Sequence, residues 1–165
     1  MDNLVLLRSA VDWDQFFINM CVAFASKSKD PSTKVGAVII DQDNIFRSGS
    51  WNGFPRGVND YTHRYYDKEV KYSMVVHAEA NSICNAARVG IPLDGCSMYV
   101  YPLLPCNECT KLIIQVGIKE VIAINFDKSL EIWKEKFKTS KTMLDEAGVL
   151  FRTVEDKNIE GKESS

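Results

Sequence analysis

The feature that most constrains this chain is a pair of short motifs 29 residues apart. The first is His77-Ala78-Glu79, and the second is Pro105-Cys106-Asn107-Glu108-Cys109. Two thiolates and one imidazole suit Zn²⁺, and three protein ligands leave the fourth tetrahedral position open to water, as a catalytic site requires. His77, Cys106 and Cys109 are therefore predicted to bind zinc, and the fold must bring two distant segments together.

Glu79, two residues after the histidine, is predicted to move protons rather than to bind the metal. A metal centre with two anionic thiolates is weakly electrophilic, so water beside it needs a base. Both motifs begin predicted helices, whose positive N-terminal ends favour the thiolate form of cysteine. The combination H-x-E with P-C-x-x-C is typical of zinc deaminases that act on nucleobases. The two cysteines alone would equally fit a redox pair or half of a structural zinc site.

Composition indicates one domain in a reducing compartment. The chain has 165 residues, of which 45% are hydrophobic and 25% charged. We expect one catalytic domain over residues 1–154 and a charged, frayed tail over 155–165. No apolar run is long enough to span a membrane and the N-terminus does not resemble a secretion signal, so we expect a cytoplasmic protein with no membrane partner. A net charge of −2 gives no basic footprint for long nucleic acids, which favours a small substrate.

Local patterns predict alternating helices and strands. Ser9 and Asp12 have capping-box spacing before a helix over 11–28, which is predicted to bury one stripe: Trp13, Phe16, Phe17, Met20, Cys21 and Phe24. Strands over 35–40 and 45–51 form a predicted hairpin, and 52–74 is a polar insertion with at most one short helix. The remaining elements are predicted as helix 77–88, strand 97–101, helix 106–116, strand 120–125, helix 129–147 and strand 149–154. Such alternation favours an α/β layer fold whose later strands are parallel.

Beyond the zinc motifs, further stretches resemble the deoxycytidylate (dCMP) deaminases of the cytidine deaminase-like superfamily, with similarity from about Trp13 to Val154. They are DPSTKVGA at 30–37, WNGFPRG at 51–57, GCSMYV at 95–100 and CNEC at 106–109, which continues into KLII at 111–114. The resemblance implies a three-layer α/β/α sandwich around a five-stranded mixed sheet. It also implies a substrate contact for Asn52 with the nucleotide sugar and a further contact at Ala78. From its residues alone, the Asn52-Gly53 pair would be read as a simple turn.

The resemblance also implies nucleotide effectors. Asn52, Gly53, Pro55 and Gly57 match a loop that contributes to a dCTP and dTTP regulatory site in many members of the family, where Mg²⁺ would accompany the effector. Such enzymes are homo-oligomers, often hexamers, so a hexamer or a dimer is expected. Relatives with a second, structural zinc have a longer insertion containing cysteine, whereas this insertion has only His63, so one zinc per subunit is expected. Candidates for the 5′-phosphate are Lys27, Arg56 and the loop before Val35.

The sequence leaves several alternatives open. One is a deaminase for another amino-base: dCTP, a modified dCMP, cytidine, cytosine or adenosine in transfer RNA. Another is a protein that binds nucleotides at a zinc site without turning them over, which would have little need for Glu79. Outside the motifs, Cys21, Cys84 and Cys96 are predicted to be packing residues, and His63 to be a solvated side chain.

Overall fold

A computed structural model describes residues 11–124 and 131–155, with the side chains of 131–136 excepted. In chain order the elements are α1 (Trp13–Ala25), β1 (Gly36–Ile40), β2 (Phe46–Trp51), α2 (Thr62–Tyr66), α3 (Lys68–Met74), α4 (Ala78–Val89), β3 (Ser97–Tyr101), α5 (Asn107–Gln115), β4 (Glu120–Ile124), α6 (Glu131–Glu146) and β5 (Leu150–Val154). None of the helices in these ranges has the length and apolar character needed to cross a membrane. The predicted tail beyond Glu155 lies outside the described residues. Ser9 and Asn125, which were predicted in a helix cap and a strand, also lie outside them.

The five strands form one mixed sheet in the order β2-β1-β3-β4-β5. Strand β1 pairs antiparallel with both β2 and β3, whereas β3, β4 and β5 are parallel to one another. The hairpin turn before β2 is closed by the Asp41 carboxylate, which accepts hydrogen bonds from the backbone N–H groups of Asp43 and Ile45. The predicted hairpin and the parallel second half of the sheet are both confirmed.

Helices cover both faces of the sheet, because alternate strand residues point to opposite sides. One core lies beneath α4, α5 and α6, and its strand members include Ala37, Ile39, Met98, Val100 and Val121. The other lies beneath α1, and its strand members are Val38, Ile40, Tyr99, Ile122 and Ile124. The three-layer α/β/α sandwich expected from the resemblance is therefore confirmed.

Helix α1 is shorter than predicted, and its buried face includes only part of the predicted stripe. It begins after Asp12, whose carboxylate accepts a hydrogen bond from the Gln15 N–H at 2.8 Å, and ends at Ala25. Trp13 and Phe16 were expected in the buried stripe, but they are 57% and 44% exposed. The face that meets the sheet keeps Phe17 and Cys21 of the predicted stripe and adds Ile18 and Ala25. Met20 and Phe24 are partly buried against the same core. The prediction was wrong for Trp13 and Phe16, because aromatic side chains dominated the pattern.

Two other local predictions need correction. The insertion holds two short helices, α2 and α3, where at most one was expected. Cys84, predicted to pack, lies exposed on the outer side of α4, whereas Cys21 and Cys96 are buried as expected. Cys84 lies seven residues after His77 and so has nearly the same helical phase, on the outward face of α4, whereas Ile83 and Ala86 face the core.

Gly36 is required where β1 passes beneath α1. A Cβ atom at this position would lie 2.0 Å from the Cys21 carbonyl oxygen and 2.7 Å from the Ala25 nitrogen, both of them backbone atoms. We expect Gly36→Ala to lower the free energy of unfolding by about 3 kcal/mol, because helix and strand must separate to admit a methyl group. Urea denaturation measures the change. Gly53→Ala is the control, since a Cβ there meets no atom within 4 Å, and equal stability of the two variants would contradict the prediction.

Candidate active site

The two sequence motifs meet at the beginnings of α4 and α5, as predicted. His77 is the N-cap residue of α4 and Cys106 the N-cap residue of α5. Neither side chain caps its own helix, so both are available to the cluster. Cys109, in the first turn of α5, completes the group. The Nδ1 atom of His77 lies 3.4 Å from the Cys106 sulfur and 3.5 Å from the Cys109 sulfur.

These distances fit a tetrahedral zinc site. Zinc bonds of about 2.3 Å to sulfur and about 2.0 Å to nitrogen place the sulfur and nitrogen ligands roughly 3.6 Å apart. The three donor atoms all lie within 4.8 Å of one another, and they form the one cluster of potential metal ligands in the described ranges 11–124 and 131–155. Because the chain supplies three ligands there, the fourth position would be left for water or substrate.

The electrostatics of the cluster also favour a cation. The hydrogen bond from Cys109, assisted by His77, lowers the pKa of Cys106 to about 3. That same hydrogen bond, together with burial, raises the pKa of Cys109, and the bond to Cys106 raises the pKa of His77. Without a metal, the second thiolate would therefore form beside an existing negative charge. A bound divalent cation removes this penalty, since it stabilises both thiolates and a neutral imidazole.

Glu79 lies in the first turn of α4, beside the cluster but outside it. Its side chain is buried, with 3% exposure for the residue, and it lines the same cavity as His77 and Cys106. Burial is the main cause that raises the pKa of Glu79 to about 7, although its own backbone N–H and the charge of His77 oppose the rise. A carboxyl group with a pKa near neutrality can both accept and return a proton, as a general base and acid must.

The cavity above the cluster has a volume of about 420 Å³. One wall is the loop before β1, with Asp30, Ser32 and Thr33, followed by Val35; residues after β3 and β2 add Leu103, Leu104 and Asn52. The remaining wall comes from the insertion and the residue that follows it: Tyr65, Tyr66, Lys68, Lys71, Tyr72 and Val75. Sequence reasoning missed these insertion residues because their approach to the motif depends on tertiary packing. The only available signal was the density of tyrosine and lysine just before His77.

Asn52 lies on the cavity wall, and its side chain is already engaged. Its Oδ1 accepts a hydrogen bond from the Val35 N–H at 2.8 Å, and its Nδ2 donates to the Thr33 carbonyl at 2.9 Å. The structure therefore gives Asn52 a role in holding the loop before β1, and its contact with a sugar stays a prediction. Ala78 is fully buried between the two functional residues of its motif, and its predicted substrate contact also stays a prediction.

Lys27 and Arg56 are not among the residues that line this cavity, and their assignment to the phosphate stays a prediction. Lys27 is exposed just beyond the end of α1, and the Arg56 guanidinium donates to the side-chain oxygen of Asn85 on α4. The loop before Val35, the third candidate, does line the cavity through Ser32 and Thr33. His63 is exposed, stacks on Tyr61 and is not part of the ligand cluster.

The predicted regulatory loop, residues 52–57, contacts the region of the cavity at two points. Gly53 exchanges two backbone hydrogen bonds with Val76, the residue before the ligand His77. Phe54 stacks on Tyr65 of the cavity wall with ring centroids 4.4 Å apart. Pro55 accepts a backbone hydrogen bond from Val58, and Gly57 adopts the left-handed conformation with φ of 81°. This loop is therefore ordered by contacts with the site rather than with the sheet alone.

Removal of one sulfur tests the metal assignment. Cys106→Ala leaves two protein ligands, so we expect purified variant to lose most of its zinc on dialysis, as measured by plasma mass spectrometry. Cys84→Ala is the matched control because Cys84 lies outside the cluster, and Glu79→Gln should also retain zinc since all three ligands remain. Stoichiometric zinc in Cys106→Ala would contradict the assignment.

Comparisons with known proteins agree with this geometry. The family model described as the cytidine and deoxycytidylate deaminase zinc-binding region matches residues 11–125. A probable deoxycytidylate deaminase of Drosophila melanogaster is 41% identical over 155 residues, covering 88% of this chain and 73% of the relative. The deoxycytidylate deaminase of Homo sapiens is 39% identical over 147 residues, covering 86% and 79%.

A solved structure supports the fold independently. The dCMP deaminase of the cyanophage S-TIM5, crystallised in complex with dCMP and dUMP, aligns with a TM-score of 0.67 over 85% of this chain and 95% of the phage chain, at 22% sequence identity. Both catalytic motifs lie within the matched family region, as do the sheet strands β1 to β4. The chain therefore belongs to the cytidine and deoxycytidylate deaminase family.

Proposed function

We propose that this protein hydrolyses the 4-amino group of dCMP to give dUMP and ammonia. The observation on which the proposal depends is the buried carboxyl of Glu79 in the same cavity as the ligands His77 and Cys106. The names of the relatives support the substrate, because they are called deoxycytidylate deaminases and cover most of this chain. A cavity of about 420 Å³ is in the range of pockets that enclose small ligands.

The proton chemistry follows from the position of Glu79. When Zn²⁺ is bound by His77, Cys106 and Cys109, it supplies an open coordination position and lowers the pKa of water. Glu79 accepts a proton from the attacking water and delivers it to N3 of the pyrimidine, which makes C4 electrophilic. After addition at C4, Glu79 accepts the proton of the new C4 hydroxyl group and donates it to the amine, so that ammonia leaves and the C4 carbonyl of the uracil ring forms. A burial-raised pKa keeps both protonation states of this carboxyl accessible near neutral pH.

The 5′-phosphate of the substrate is proposed to bind at Lys68 and the hydroxyl groups of Ser32 and Thr33. All three residues line the cavity: Lys68 brings a cation from the insertion, and Ser32 and Thr33 bring two hydroxyl donors from the loop before β1. Among the residues that the structure describes, no carboxylate forms an ion pair with Lys68, so its ammonium is available to an anion. Lys71, by contrast, is already paired with Asp30.

Effector control is a further part of the proposal. We keep one zinc per subunit, activation by dCTP, inhibition by dTTP and Mg²⁺ bound with either nucleotide, in a cytoplasmic homo-oligomer. The stacking of Phe54 on Tyr65 supports a regulatory role for the 52–57 loop, because it gives the loop a direct contact with the cavity wall. The five cysteines are all free thiols, which is typical of a reducing compartment.

Ammonia release from a panel of nucleotides tests the function. The panel is dCMP, dCTP, CMP, deoxycytidine and cytosine, each with and without added dCTP or dTTP. We expect dCMP to give the highest kcat/KM, and Glu79→Gln to lose about 10²- to 10⁴-fold of the turnover while it keeps its zinc. Preference for dCTP would indicate a triphosphate enzyme, and inactivity of the zinc-loaded protein across the panel would overturn the proposal.

Substitutions of lysine and arginine test whether the 5′-phosphate binds at Lys68, which lines the cavity, or at Lys27 or Arg56, the candidates from the sequence. We expect Lys68→Gln to raise the KM for dCMP about tenfold with little change in kcat, because phosphate binding stabilises ground and transition states equally. Turnover of deoxycytidine, which has no phosphate, should be unaffected. Lys27→Gln and Arg56→Gln are the matched controls and should leave the KM for dCMP unchanged. A larger effect at either control position would return the phosphate to the earlier candidates.

A further inference from the structure

A buried ion pair lies in the wall of the cavity and has no part in the chemistry described above. The ammonium group of Lys71, on α3, lies 2.8 Å from both oxygens of the Asp30 carboxylate. Their side chains are only 9% and 3% exposed, and both residues line the cavity. The Lys71 ammonium also lies 5.8 Å from the centre of the Tyr72 ring, at the cavity edge.

This pair is poorly explained by stability alone. Burial removes water from both charges, and the mutual attraction of a buried pair often does no more than offset that loss. An apolar pair of the same size would fill the space as well. What the ion pair does provide is a directional link between two segments that are 41 residues apart in sequence. Because the ion pair lies in the wall of the cavity, it can determine the shape of that wall where a substrate binds.

Asp30 is the centre of a hydrogen-bonded loop. Besides Lys71, its Oδ1 accepts from the backbone N–H groups of Ser32 at 2.8 Å and Thr33 at 3.2 Å. Asn52 holds the far end of the same loop through Thr33 and Val35. The conformation of residues 30–35 is thus set by the Asp30 and Asn52 side chains, and the ion pair connects this loop to α3.

The zinc end of the cavity is anchored separately. Val76 exchanges two backbone hydrogen bonds with Gly53, and the Asn81 side chain donates to the Trp51 carbonyl at 2.9 Å. These contacts fix the beginning of α4, and with it His77 and Glu79, without the help of Lys71. Loss of the ion pair should therefore change the wall formed by residues 30–35 while the metal ligands stay in place.

We propose that Asp30 and Lys71 form a positioning clamp that holds Ser32 and Thr33 at the distance from α3 that a nucleotide 5′-phosphate requires. The clamp rests on the proposed function, since it assigns a role to the wall of that substrate site. Lys71 acts through the loop rather than as a catalytic residue, and Lys68 supplies the free cation. The clamp thereby selects nucleotides over nucleosides.

The double variant Asp30→Asn, Lys71→Met tests the clamp without leaving a buried charge unpaired. The introduced amide keeps a side-chain oxygen for the Ser32 and Thr33 N–H groups, and the methionine side chain replaces the lysine stem. We expect the KM for dCMP to rise about tenfold with kcat within about threefold of wild type, because binding and not proton transfer is affected. For deoxycytidine, kcat/KM should stay within about threefold, and zinc content should not change.

A matched control is the ion pair of Lys141 and Asp145 on α6, which is exposed and does not line the cavity. The variant Lys141→Met, Asp145→Asn should leave all kinetic constants unchanged. A rescue variant, Asp30→Asn, Lys71→Gln, can restore the link through an amide hydrogen bond and should show a smaller rise in KM. If the methionine variant does not fold, the glutamine variant can be compared with wild type instead, and a smaller rise in the KM for dCMP is expected.

The possible outcomes separate the clamp from a general structural role. An unchanged KM for dCMP overturns the clamp. An equal loss for dCMP and deoxycytidine, or a loss of zinc, also overturns it, because instability or metal loss would affect both substrates alike. If Thr33→Val added to the double variant lowers affinity no further, the clamp acts through that hydroxyl, whereas full additivity contradicts it. Failure of wild-type protein to deaminate dCMP would refute the proposed function itself. Failure of the clamp is seen only in the comparison of variants with wild type, so the two failures are distinguishable.

Discussion

The structure depends on the close approach of two helix N-termini, which places one imidazole and two sulfurs within 4.8 Å of one another. The helix ends favour negative charge, yet two thiolates side by side repel each other, as the opposite pKa shifts of Cys106 and Cys109 indicate. A divalent cation allows both thiolates to lie at the helix ends, because its positive charge offsets their mutual repulsion. The arrangement is therefore a site that folding prepares and that metal binding completes.

The sheet makes that approach possible. Helix α4 follows the insertion and packs over the strands on the same face as α5, in the core that includes Ala78, Ile83 and Ile113. Helix α5 follows β3, and the parallel pairing of β3 with β4 requires its chain to cross that face. Strand pairing thus determines that both helices begin at one edge of the sheet. The reactive carboxyl of Glu79 is buried there because the helix that presents His77 also forms the core.

The clustering of His77, Cys106 and Cys109, the place of Glu79 beside them and most strands could be predicted because these features depend on local spacing. Strand alternation and the two helix-start motifs are visible within windows of a few residues. The buried face of α1 was predicted only in part: Phe17 and Cys21 are buried, but Trp13 and Phe16 are exposed. Hydrophobicity alone cannot distinguish which side of an aromatic helix meets the sheet. The cavity wall could not be predicted either, because the pairing of Asp30 with Lys71 joins segments that have no common local pattern.

The proposed function and the proposed clamp assign chemistry and selectivity to different parts of the chain. The ligands and Glu79 belong to α4 and α5, which are held by the core and by the bonds from Gly53 and Trp51. The wall that meets the rest of the substrate belongs to a loop and an insertion, which are joined by a few polar side chains. Changes in the insertion can therefore alter the group accepted beyond the pyrimidine ring without disturbing the proton transfer. Under this proposal, the half that is packed in the core lowers the barrier for deamination, and the polar half decides which molecule is brought to it.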